Sequence, residues 1–276
     1  MKELLTKGVG LFINITACLF PKWSTDYSFD LLCKVKRVGI SEKGQAFFDK
    51  AESISLENGN HNTVLHRWGT GDKNILFLHG WMSNSQRWLP YVERLDLNEY
   101  TVYALDAPGH GMSKGTRLNL EIFRQGIEKA IVKIGQVDTL VSHSFGGLAT
   151  CYAYLENTEI PVEKFVIMGA PSGMDAIFVY FKEILSLKNT ALSNLSKKID
   201  TILKVPAKEI SMRQFFEKAK QPLLIVHEIS DRITPFEPIR KATDINKNIE
   251  TFFTKNQDHN LKGEATIVRI VQFINS

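Results

Sequence analysis

The sequence predicts an α/β protein, with a mostly parallel central sheet carrying helices on both faces. Two observations predict it. From about residue 74 onward, short apolar β-prone runs alternate with amphipathic helical stretches, the order that puts a crossover helix between neighbouring parallel strands. In addition, the stretch from Val137 to Tyr152 passes from an apolar run (Thr139 to Val141) into a helix of small residues through Ser142, His143, Ser144, Phe145, Gly146 and Gly147. Reversing a strand into a helix over so few residues strains the central residue and requires small neighbours two positions away, here Ser142 and Gly146. Such a turn lifts the Ser144 hydroxyl clear of the sheet and aims the first N–H groups of the helix at a bound group. A plain Ser/Gly turn is the competing reading.

Taken in order, the chain opens on an apolar stretch, Gly8 to Phe20, broken only by Asn14 and Thr16, preceded by Lys2 and Lys7 and closed by Pro21. It falls short of the roughly 20 residues that cross a bilayer. The expectation is an amphipathic helix docked on the domain of a cytoplasmic protein, with peripheral membrane contact through residues 4–20 as a second use. Export or lipid anchoring through residues 1–20 is the alternative, since the stretch has signal-peptide character and Ile15 to Cys18 is lipobox-like. Polar helical and loop segments complete an N-terminal helical segment, 1–52.

Ile54 to Leu56 and Thr63 to Trp68 read as a hairpin around the turn at residues 57–60. Asn74 to Leu78 is continuously apolar after its first residue, as a central strand buried on both faces must be. A helix from Gln86 to Leu95, a strand from Thr101 to Leu105 and an amphipathic helix from Leu118 to Ile134 follow. Phe165 to Met168, Pro222 to His227 and Ile249 to Thr254 are further strands, and Leu261 to Ile274 a closing helix. The core is therefore expected over 53–171 and 220–276. Between them, 172–219 shows helical pattern without strands, the size of a small cap insertion. Within it Ile177, Phe178, Val179, Tyr180, Phe181, Ile184, Leu185 and Leu187 are about twice as many apolar residues as one docking face needs. The surplus is expected to line a pocket, unless all of it is packing.

Composition bounds the function. At 276 residues, 43% hydrophobic and 23% charged, the chain is an ordinary globular one. A net charge of +4 without a basic stripe gives no footprint for nucleic acid. Cys18, Cys33 and Cys151 form neither a C-x-x-C pair nor a metal spacing, which fits a reducing compartment or simple core packing better than a disulfide framework. Asp106 and His110 suggest a metal but lack a third ligand. With no G-x-G-x-x-G and no P-loop, neither metal nor nucleotide cofactor is expected.

The turn at Ser144 resembles the nucleophile elbow of the α/β-hydrolases, with Ser142 standing where that family usually has glycine. Three more motifs follow the family order. Asp231, shortly before Pro235, lies in the loop after a buried strand and resembles the acid loop. His259 follows the last strand. His79, Gly80 and Trp81 resemble the oxyanion loop. The turn from Asp106 to Ser113 is a further family signature, read as structural. The resemblance implies Ser144 as nucleophile, His259 as base and Asp231 as the orienting acid, with Glu228, Asp175 and Asp244 as rival acids. It implies an oxyanion hole from the backbone N–H groups of Trp81 and Phe145. The substrate pocket is expected to include the side chains of Trp81, Phe178 and Phe181. His143 is expected to turn away from Ser144, His227 to be packed, and His61 and His66 to be solvated or half-buried. The implied activity is serine hydrolysis of an apolar carboxylic ester through an acyl-enzyme. Amide, thioester or C–C hydrolysis, acyl transfer, or a weakly catalytic binding role remain the alternatives.

Overall fold

The computed structural model describes residues 2–58 and 61–276. The centre is an eight-stranded sheet in the order β1-β2-β4-β3-β5-β6-β7-β8. β3 (Lys73–Leu78), β4 (Tyr100–Asp106), β5 (Val137–His143), β6 (Val162–Met168), β7 (Leu223–Glu228) and β8 (Ile249–Thr254) run parallel. β2 (His61–Trp68) is antiparallel to both β4 and β1 (Glu52–Asn58). The tip of the β1–β2 hairpin lies outside the described residues.

Burial on both faces explains the apolar runs. In β3, Ile75 and Phe77 join one core cluster while Leu76 and Leu78 join the other, as the two-residue period of a strand requires. One face is covered by α5 (Leu120–Ile134), α6 (Phe145–Glu156), α9 (Met212–Lys218) and α10 (Phe236–Thr243). The other is covered by α3 (Glu42–Phe48), α4 (Leu89–Val92) and α11 (Glu264–Asn275). α5 starts at Leu120 because the Asn119 side chain accepts from Ile122 N at 2.8 Å, an N-cap. The helix expected over 86–95 is instead a 3₁₀ turn, Ser85–Trp88, followed by the single turn of α4. Pro90 suits a first turn but not a helix interior.

α1 (Lys2–Leu19) and α2 (Pro21–Cys33) pack on α7 (Met174–Leu185) and α8 (Asn189–Asp200). Ile13 and Ala17 of α1 are buried with Leu185, Leu187 and Ala191. Asn14, which interrupts the apolar stretch, is buried: its side chain donates to Ser186 O and accepts from Lys188 N. Of the 172–219 insertion, α7 and α8 contact these N-terminal helices, whereas Phe215 and Phe216 of α9 are sealed in the sheet-side core. Among the described residues no helix is long and apolar enough to cross a membrane.

Candidate active site

Ser144 sits between β5 and α6 at φ 54°, ψ −121°, backbone a non-glycine residue rarely adopts. Tight packing around the turn sustains that strain. A Cβ on Gly146 would lie 2.5 Å from His79 O, and one on Gly80 would lie 2.8 Å from the Ser144 Cβ. Both positions therefore require glycine, and the loop after β3 lies directly against the turn. Ser142, in the family's glycine position, is fully buried with its hydroxyl 3.4 Å from Val166 O.

The loops after β5, β7 and β8 bring Ser144, Asp231 and His259 together. His259 Nε2 is 2.8 Å from Ser144 Oγ, and His259 Nδ1 is 2.7 Å from Asp231 Oδ2. The carboxylate accepts from the N–H groups of Ile233 and Thr234 at 2.8 and 3.0 Å. Burial alone would raise its pKa. The hydrogen bonds from His259 and Thr234 outweigh it and hold the carboxyl down at about 2. An ionised Asp231 would favour the tautomer with the proton on Nδ1, which leaves the Nε2 lone pair toward the serine hydroxyl.

The rival acids are engaged elsewhere. Glu228 is buried and accepts from Ser230, Thr254 Oγ1 and Gln257 N. Asp175 is exposed in the first turn of α7, and Asp244 pairs with Arg240 at 3.6 Å. His227 is buried against Thr234 O at 2.8 Å.

Phe145 is the first residue of α6, where N–H groups have no partner within the helix. Trp81 packs edge-on against the Phe145 ring, 5.5 Å between centroids.

An apolar cavity of about 350 Å³ opens above Ser144 and His259, lined by Trp81, Met174, Ile177, Tyr180 and Phe181 together with Phe29 and Leu32 of α2. Phe178 and Leu185 do not line it. Phe178 packs half-buried against the core and Leu185 is buried against α1. Lining by α2 was not read from the sequence, since the contact joins segments more than a hundred residues apart. A second, more polar cavity of about 540 Å³ reaches the same serine and is lined by Lys43, Asn84, Arg87 and Lys262 among others.

Two further groups without a sequence signal support His259. Thr234 Oγ1 lies 2.8 Å from Asp231 Oδ2 and 3.2 Å from His259 Nδ1. Arg87, buried and stacked on Trp88, donates to Asn260 O at 2.9 Å and to His143 Nδ1. His143 Nε2 in turn donates to His259 O at 2.9 Å. Burial and the Arg87 charge push the His143 pKa well down, which keeps it a neutral strut.

His66 departs from expectation. It is fully buried and engaged on both sides, with Nε2 3.0 Å from Asp106 Oδ2 and Nδ1 2.9 Å from Ser53 Oγ. Asp106 also accepts from Ser85 N and Met112 N, each at 2.8 Å. Burial would raise this carboxyl, but the His66 hydrogen bond and the neighbouring histidines hold it far below the usual carboxylate range. Among the described residues no cluster of His, Cys, Asp or Glu is arranged to hold a metal ion.

A parallel sheet with a strained serine turn, a histidine and an aspartate at its strand ends defines an α/β-hydrolase. Residues 70–219 match the family described as serine aminopeptidase, S33, and the chain belongs to it. That span holds Ser144 but ends before Asp231 and His259. A pimeloyl-[acyl-carrier protein] methyl ester esterase of Sodalis glossinidius is 40% identical over 47 residues, 17% of this chain and 18% of that protein, so the chain spans under a fifth of that relative. An esterase from Exiguobacterium antarcticum superposes with a TM-score of 0.62 at 16% identity, over 82% of this chain and 100% of the other. A bacterial membrane phospholipase A superposes with a TM-score of 0.63 at 14% identity over 100% of this chain and 98% of the other, so the likeness of fold extends to the N-terminal helices.

Proposed function

We propose that the protein hydrolyses an apolar carboxylic ester through an acyl-enzyme on Ser144. The observation that carries this is the continuous hydrogen-bonded line from Ser144 Oγ through His259 to Asp231 at the floor of an apolar cavity. Ser144 Oγ attacks the ester carbonyl as its proton passes to His259 Nε2, and the Trp81 and Phe145 N–H groups hold the oxyanion. His259 then protonates the leaving alkoxide, the C–O bond breaks and the alcohol departs. Water, deprotonated by His259, attacks the acyl carbon, and the proton returns to Ser144 as the carboxylic acid leaves.

The cavities support an ester over the amide that the family description suggests. An aminopeptidase needs carboxylates to hold a substrate ammonium group. Among the described residues, neither cavity that reaches Ser144 is lined by Asp or Glu. The apolar cavity suits the acyl group, with Trp81 and Phe181 in its wall, and the polar one the alcohol. In the same reading 172–219 is a cap over a core of 53–171 and 220–276, and segment 1–52 supplies α2 to the pocket wall. Three free cysteines, with Cys18 exposed, support a cytoplasmic location.

The test is turnover of p-nitrophenyl esters of graded acyl length beside an alanine anilide. Cleavage rising with acyl length up to the cavity limit, with the anilide inert, is expected. Preferential cleavage of the anilide would overturn the ester assignment.

A further inference from the structure

We propose that the α1–α2 hairpin docks on an anionic lipid surface and that the ester is taken from that surface. The second half rests on the ester hydrolysis proposed above; the first does not.

From Gly8 to Pro21 the chain has no charged residue, yet one face of α1 is open to solvent. Leu11, Phe12, Ile15, Leu19 and Phe20 are 59, 46, 53, 65 and 63% exposed, while the opposite face, Ile13, Asn14 and Ala17, is buried on the domain. A soluble helix of this kind ordinarily shows charged residues on its outer face. α2 continues the surface with Trp23 and Tyr27, stacked 5.4 Å apart and both edge-on to Phe12. Amphipathic aromatic rings of this type settle at the boundary between acyl chains and headgroups. Lys7 and Lys22 are exposed at the two ends of the apolar stretch, and Lys182 and Lys188 are exposed on the adjoining α7 and the start of α8. Cations flanking an apolar helix complement anionic headgroups, which favours a bilayer over an uncharged apolar partner.

The surface is also joined to the site. α2 carries Trp23 and Tyr27 outside and Phe29 and Leu32 in the cavity wall, and Tyr180 of α7 is both 43% exposed and part of that wall. An acyl chain leaving a bilayer at α1–α2 would therefore meet apolar groups on the way to Ser144. A small soluble ester would need no such path.

The test is co-sedimentation of the full chain with phosphatidylcholine vesicles with or without one-quarter phosphatidylglycerol, at low and high salt. Binding is expected to be strongest to the anionic vesicles at low salt. Combining Phe12→Ser, Leu19→Ser and Trp23→Ser should weaken it at least tenfold while leaving hydrolysis of a short soluble ester unchanged. Lys22→Glu, a single exposed change that spares the apolar packing, should weaken it about threefold at low salt only. Wild-type protein that stays in the supernatant, or variants that bind as the wild type does, would overturn the proposal. So would a dimer that the triple variant dissociates in the absence of vesicle binding, which assigns the face to a second copy of the chain. Vesicle binding without ester turnover would instead keep the docking and remove the ester reading.

Discussion

The described residues contain two hydrogen-bonded lines of serine, histidine and aspartate, alike in their bond lengths but opposite in which imidazole nitrogen meets the aspartate and different in their surroundings. In one, Ser144, His259 and Asp231 are linked at 2.8 and 2.7 Å; in the other, Ser53, His66 and Asp106 are linked at 2.9 and 3.0 Å. Ser53 lies in an extended strand directly opposite His66, its cross-strand partner. Ser144 lies in a strained turn at the mouth of a helix and under a cavity. His66 and Asp106 are wholly buried and tie β2 to β4 and to the loops carrying Ser85 and Met112. On the proposed mechanism an aligned proton path is insufficient for chemistry. It also needs a hydroxyl held away from the sheet, donors aimed where negative charge will develop, and room for a substrate.

The largest expected effect breaks the comparison at the serine. Ser144→Ala should abolish labelling by a fluorophosphonate and lower ester turnover by about 10⁴ or more. Ser53→Ala should leave both within a factor of about two. Labelling mapped to Ser53 would show that the hydrogen-bonded line alone suffices.

The two aspartates should then separate activity from stability. Asp231→Asn should lower turnover by about 10⁴, because the imidazole loses the charge that fixes its tautomer, with a smaller effect on unfolding. Asp106→Asn should do the reverse, costing about 3 kcal/mol in urea unfolding at neutral pH, with turnover per folded molecule nearly unchanged. The Asp106 carboxyl is held far below its unfolded value. Its stabilisation is therefore fully present above about pH 4 and is lost as pH falls below that, where the unfolded chain takes up the proton first. The stability gap between wild type and Asp106→Asn should narrow from pH 4 downward. A gap constant to pH 3 would remove the buried charge as its cause.

How far each line was legible in the sequence follows from what sets it. The strands were legible because double-sided burial writes itself as continuous apolar runs. Ser144, Asp231 and His259 could be singled out because each follows such a run, and parallel strands place their ends on one edge. His66 was not legible as a partner of Asp106. Their contact depends on the register that sets Val64 opposite Asp106 across β2 and β4, and no local pattern records that pairing. The same holds for Phe29 and Leu32, which enter the cavity through long-range packing. Phe178 was misassigned because the apolar surplus of α7 gives the number of extra residues but not the side on which each lies.

The smallest effect sharpens the comparison by asking what holds the open line in place. The closed line is fixed by the sheet itself, since Ser53 and His66 are ladder neighbours. His259 sits in a loop, and its carbonyl and that of Asn260 are held by His143 and Arg87. Arg87 is a buried cation, and burial depresses its pKa to about 10. Its Nε has no hydrogen-bond partner, so its charge is costly to the fold and is not explained by packing. Arg87→Met keeps most of the apolar volume and removes the guanidinium. Because a buried ion can be replaced by a hydrophobe at little cost, the melting temperature should stay close to that of the wild type. Turnover should fall about tenfold with KM little changed, as expected when a base is displaced by a fraction of an ångström but the pocket is not. Unchanged turnover would mean that His259 is held by Asp231 and Thr234 alone. A matching fall in stability and turnover would make Arg87 a structural element of the loop, no different in kind from the struts around Asp106.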